Sequence, residues 1–89
     1  LYYHVWNAKR TPEGYPDVHL VKPPRIIYAE LKTDDPKEKP SRAQRVWLDA
    51  FAACPGVETY LWRPKDWEEI GFILTVGVSR LLLTRWVSV

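Results

Sequence analysis

Eighty-nine residues at net charge +2, 46% apolar and 27% charged, make one small domain and exclude a multidomain machine or a disordered chain. The charge is too weak to announce nucleic-acid binding by itself. A single cysteine excludes an internal disulfide framework and a Cys-rich zinc site, and it fits a reducing compartment. Cys54 is expected as a buried small hydrophobe on a helix. The chain starts at Leu1 and holds no Met, which reads as an N-terminus that is missing or processed. No basic n-region precedes an apolar run, so no signal peptide is visible. Arg80 and Arg85 interrupt the apolar stretch 71–89, which argues against a membrane-spanning helix.

In chain order, residues 1–6 are apolar and aromatic and read as a strand. Residues 7–15 form a polar loop with turn chemistry at its end, and Pro16 closes it. The segment 17–21 alternates as a strand does, and Pro23 and Pro24 break the chain after it. Residues 25–33 (RIIYAELKT) are the strongest strand, and their apolar start suggests a central strand covered on both faces. A charged loop over 34–40 leads to the clearest helix, 41–54. That helix has Ser41 at the N-cap, Gln44 three residues on, and an apolar stripe of Ala43, Val46, Trp47, Ala50, Phe51 and Cys54. Pro55 and Gly56 stop it. Residues 57–62 read as a strand ended by Pro64, and Asp66 with Glu69 starts a short second helix through Trp67 and Ile70. The segment 73–89 has no clear assignment. The order implies an α/β domain, a small mixed β-sheet flanked by helices, with a βαβ crossover over 25–62.

The chemistry concentrates on Asp17, Glu30 and Lys32. Glu30 and Lys32 are two apart on a strand and share a face. A carboxylate and an ammonium on a central strand are costly to bury without partners or a purpose. The Pro-Pro turn would fold the preceding strand, with Asp17 at its start, beside Glu30. Two converging carboxylates can bind a hard divalent cation such as Mg²⁺ or Mn²⁺, and Lys32 beside it can orient a water or stabilise charge on a phosphate. Against this stands the plain reading that Glu-x-Lys on a strand is a solvated ion pair of little worth.

In sequence order, Gly14-Tyr15-Pro16-Asp17, then Glu30-Leu31-Lys32, then Gln44 near a helix start, resemble the VRR-NUC domain, the virus-type replication and repair branch of the PD-(D/E)xK nucleases. His4-Val5-Trp6-Asn7, Trp47-Leu48, Tyr60-Leu61-Trp62-Arg63-Pro64 and Asp66-Trp67 are also similar to small stand-alone phage members, and the resemblance spans residues 2–70. It implies a restriction-endonuclease-like core and a metal-dependent deoxyribonuclease acting on branched, flapped or Holliday-junction DNA as a homodimer. By the same resemblance Asp17, Glu30 and the Leu31 backbone carbonyl are metal ligands. Lys32 is the catalytic lysine, and Gln44 completes the site. The family's acidic residue on a helix before the first strand has no counterpart here. On this basis residues 1–70 are expected to form the nuclease domain without that helix, residues 71–89 an apolar tail, and the compartment to be the cytoplasm of a bacterium or a phage-infected host.

His4, Arg10, Tyr15, Arg42 and Arg45 are the candidate DNA contacts, with Lys9, Lys22 and Arg25 as weaker ones. His19 is expected in packing or at the surface and not as a base, and Trp6, Trp47, Trp62 and Trp67 in core and interface. Two other functions compete with the nuclease. A nucleic-acid-binding module on the same scaffold would bind DNA without cutting it. A protein-interaction module would leave Glu30 and Lys32 exposed and distant from Asp17.

Overall fold

A computed structural model of the chain describes residues 4–6, 12–75 and 85–86, the first three as backbone. It shows a small mixed α/β domain with strands β1 (His4–Trp6), β2 (Val18–Lys22), β3 (Arg25–Leu31) and β4 (Val57–Trp62). Helix α1 (Arg42–Ala52) lies between β3 and β4, and α2 (Trp67–Thr75) follows a 3₁₀ turn over Pro64–Asp66. The sheet order is β1-β2-β3-β4, antiparallel for the first two pairings and parallel for the third. A parallel pair needs a crossover, and α1 supplies it, as the strand-helix-strand pattern predicts.

The two faces of the sheet differ. Leu20, Ile27, Ala29, Tyr60 and Trp62 point to one face, where Ile73 of α2 completes a buried apolar core. Arg25, in register two residues before Ile27, forks onto Glu58 at 2.6 and 2.7 Å on that same side. The opposite face carries an aromatic stack. Tyr28 lies flat on Phe51 of α1 with centroids 3.7 Å apart, and His19 stacks on Tyr28 at 4.3 Å. Tyr15 meets Tyr28, Trp47 and Phe51 edge-on. Glu30 and Lys32 continue this second face beyond Tyr28, because side chains two apart on a strand point the same way.

Helix α1 starts as its sequence dictates. The Gln44 N–H donates to Ser41 Oγ at 3.1 Å, and the Ser41 N–H donates to Gln44 Oε1 at 2.8 Å. These reciprocal bonds satisfy two orphan donors of the first turn. Its phase differs from expectation. Leu48 is the fully buried side chain, Trp47 and Phe51 are half-buried, and Val46 and Ala50 face solvent. The inward row is therefore 44, 47, 48 and 51; an apolar count alone could not choose between two overlapping stripes. Cys54 is likewise exposed rather than buried, its Sγ 3.4 Å from the Ala50 carbonyl beyond the helix end.

Trp67 is 76% exposed, because the 3₁₀ turn places it on the outer side of the first turn of α2. There it lines an open groove of about 300 Å³ with Glu68, Ile70, Gly71 and Leu74. Asp66 caps backward, accepting the Arg63 N–H at 2.9 Å. Helix α2 crosses the expected 70/71 boundary without interruption, and Ile73 is fully buried in the core. Further on, Arg85 pairs antiparallel with Tyr60, and the Trp86 N–H donates to the Thr59 carbonyl at 2.8 Å, occupying the outer edge of β4. Residues 76–84 and 87–89 of the expected tail lie outside the described residues. Among the described residues no helix is long and apolar enough to cross a membrane.

Candidate functional site

Asp17 reaches its place through the turn before it. Gly14 has φ +84°, a left-handed conformation that costs little only for glycine. A Cβ there would sit 2.4 Å from the Ala43 carbonyl carbon, so the turn lies hard against the first turn of α1. The Tyr15 N–H closes it on the Pro12 carbonyl at 3.1 Å, and Pro16 is buried behind it. Asp17 leaves this turn one residue before β2 begins. Its Oδ2 accepts the Leu31 N–H at 3.0 Å, in the position where the β2–β3 ladder would have continued. This explains why β2 starts at Val18 and not at the acid.

Glu30 meets Asp17 from the other side. The Asp17 N–H donates to Glu30 Oε1 at 3.3 Å, and Lys32 Nζ stands 3.7 Å from Glu30 Oε2. Glu30 is 1% exposed, and the Lys32 side chain 13%. Burial pushes the Glu30 carboxyl up to about 7, with the Asp17 carboxylate adding to the rise and Lys32 opposing it. The three side chains expected to converge therefore do so. Exposed and separate placement of Glu30 and Lys32, expected of an interaction module, is not what the chain adopts.

The Leu31 carbonyl belongs to the same place. A strand residue directs its N–H and C=O to one edge. Since the Leu31 N–H meets Asp17, its carbonyl lies on Asp17's edge, and Leu31 itself is 48% exposed. Among the described residues, which include every Asp and Glu of the sequence, no three or more Asp, Glu, His or Cys side chains gather around one point. The oxygens that could hold a cation there are two carboxylates and one backbone carbonyl. Mg²⁺ suits such a set, because it typically takes one or two carboxylates and completes its shell with water and substrate phosphate.

The remaining candidates divide. Gln44 spends its carboxamide oxygen on the Ser41 N–H, and no bond ties it to Asp17 or Glu30 among the described residues. Arg42 and Arg45 are exposed on the first turn of α1, on the helix end that Gly14 touches. Tyr15 sits in the aromatic stack edge-on to Tyr28, whose own hydroxyl burial pushes up to about 12. His19 is held below its ordinary value by burial and acts as a packed ring. Arg10, Lys9 and the side chains of His4 and Trp6 lie outside the described residues.

Arg63, which the sequence gives no reason to single out, holds the loop that follows β3. Its Nη1 donates to the Thr33 carbonyl at 2.5 Å and the Asp35 carbonyl at 3.0 Å, and its Nη2 to the Glu38 carbonyl at 2.6 Å. The one available signal was its place in the Tyr60–Pro64 segment, which says nothing of those distant carbonyls. Comparison with known proteins finds no matching family model, no matching curated protein and no matching solved structure, so the VRR-NUC resemblance stands on the motif residues alone.

Proposed function

We propose that the chain is a divalent-metal-dependent DNA endonuclease that hydrolyses phosphodiester bonds at Asp17, Glu30 and Lys32. The observation that carries this reading is the buried Glu30 carboxyl, set beside a second carboxylate and only loosely paired with a cation. The Lys32 contact of 3.7 Å is longer than a hydrogen bond, and the bond from the Asp17 N–H is long. A buried acid so poorly compensated is costly in a small domain unless it serves a ligand.

Asp17, Glu30 and the Leu31 carbonyl would hold Mg²⁺ or Mn²⁺. Bound there, the ion supplies Lewis-acid polarisation of a phosphoryl oxygen and a more acidic water. Lys32, 3.7 Å from Glu30 Oε2, would donate hydrogen bonds to a non-bridging phosphate oxygen and to the attacking water. Arg42 and Arg45, with Arg10, His4 and Tyr15 as further candidates, would contact the DNA backbone. Gln44 enters as a site residue through the family resemblance alone. The same resemblance supports branched or flapped DNA as substrate, a homodimer as the working form, and a cytoplasmic setting. A second reading, binding of nucleic acid without cleavage, is favoured by the small donor set of two carboxylates.

Incubation of a branched DNA with the protein and Mg²⁺ or Mn²⁺, with and without EDTA, separates the two. The nuclease reading expects EDTA-sensitive product and a loss of about 100-fold or more in Asp17→Ala, Glu30→Ala and Lys32→Ala, each still folded. Salt-sensitive binding that ignores EDTA and yields no product would favour the second reading.

A further inference from the structure

We infer that Arg63 is a positioning residue that aims the Lys32 ammonium at the site. Lys32 lies one residue beyond the end of β3, so the strand's alternation sets its face but does not by itself hold it there. Two groups at the end of β4 do. The Lys32 N–H donates to the Trp62 carbonyl at 2.9 Å, and the next residue of β4's chain, Arg63, takes hold of the carbonyl of Thr33. The backbone is thus gripped on both sides of the Lys32 peptide unit by adjacent residues of one strand end.

The grip extends through the whole loop. The same guanidinium spans the carbonyls of Thr33, Asp35 and Glu38. Inside the loop, Thr33 Oγ1 donates to Glu38 Oε2 at 2.6 Å and the Lys37 N–H donates to Asp35 Oδ1 at 2.9 Å. Beside it, the Lys65 N–H donates to Asp34 Oδ1 at 2.9 Å, tying the loop to the 3₁₀ turn. A planar fork with several fixed donors can serve three carbonyls at once, which a lysine ammonium on a flexible stem cannot reproduce. Released from this clamp, the loop would carry Lys32 away from Glu30, and a small displacement of a positioned group lowers the rate strongly.

The catalytic consequence rests on the nuclease reading, whereas the positioning itself does not, and the test reads them separately. Arg63→Ala and Arg63→Lys are compared with the parent by acylation of the Lys32 amine with acetic anhydride, followed by mass spectrometry. Lys22 on β2 serves as the internal control, and a thermal melt confirms folding. The expected result is Lys32 acylation about fivefold faster in both variants with Lys22 unchanged, since the clamp needs the guanidinium fork and not the charge alone. On a branched DNA with Mn²⁺, kcat falls about tenfold with KM within about twofold, the mark of a misplaced group and not of lost binding. Unchanged Lys32 acylation in a folded variant overturns the inference, as does full restoration by lysine. If Arg63→Ala does not fold, Arg63→Lys decides. Faster acylation with an unaltered cleavage rate, or with a parent that does not cleave, upholds the positioning and removes Lys32 from the hydrolytic reading.

Discussion

Two carboxylates on neighbouring strands of this sheet live under opposite regimes. Glu58 on β4 accepts both arms of the Arg25 guanidinium and the Tyr60 hydroxyl at 2.8 Å, and Arg25 also bonds the Ile73 carbonyl at 2.8 Å. Burial alone would raise its carboxyl, but the hydrogen bonds from Arg25 and Tyr60 outweigh it and hold the group below the ordinary range. Glu30 on β3 has one long backbone bond, a lysine at 3.7 Å and a second acid, and its carboxyl rises to about 7. The first carboxylate is satisfied by the fold and joins the core face, α2 and β4 together. The second is poorly compensated by the protein itself, at the end of the sheet where a turn, a strand and a loop meet. A buried acid is informative about function in proportion to how poorly the protein itself compensates it.

The comparison breaks most visibly under mutation. Arg25→Ala strips Glu58 of its charge partner and should cost about 3 kcal/mol in chemical denaturation, as expected when one member of a largely buried pair is removed. Glu30→Gln at pH 8 should stay within about 1 kcal/mol of the parent, because it also removes an uncompensated buried charge. Equal losses in the two variants would mean that Glu30 is as fully paired as Glu58.

Stability measured against pH in chelator sharpens the same contrast with opposite signs. Between 4.5 and about 7 the folded protein holds the Glu30 proton and the unfolded chain does not. The Glu30 contribution is therefore complete below 4.5 and is lost as pH rises through about 7. For Glu58 the folded group is the stronger acid, so its contribution is present above 4.5 and is lost as pH falls below it. The difference curve of parent against Glu30→Gln should decline from pH 5 to pH 8, and that against Glu58→Gln should decline from pH 5 downward.

Much of this was legible locally. The Ser41 and Gln44 cap, the Gly14 turn and the shared face of Glu30 and Lys32 follow from spacings of four residues or fewer, where backbone geometry leaves few choices. The parallel β3–β4 pairing followed from the length of chain between the two strands. What stayed hidden depends on contacts across the chain. Arg25 and Glu58 are 33 residues apart, and Arg63 reaches a loop 25 to 30 residues earlier, with nothing in either segment to name its partner. The phase of α1 was misjudged because Leu48 and Val46 are both apolar and only the sheet beneath decides which turns inward. Trp67, expected in core or interface, follows a 3₁₀ turn of three residues and lies 76% exposed, outside the core.

The most direct test of the central claim is addition of Mn²⁺ to isotope-labelled protein while the amide NMR signals are followed. Selective early broadening of Asp17, Glu30 and Leu31, abolished in Asp17→Ala with the rest of the spectrum unchanged, is the expected result. Broadening centred on the exposed acids Asp34 and Asp35, or none at low Mn²⁺, would contradict a cation site between Asp17 and Glu30.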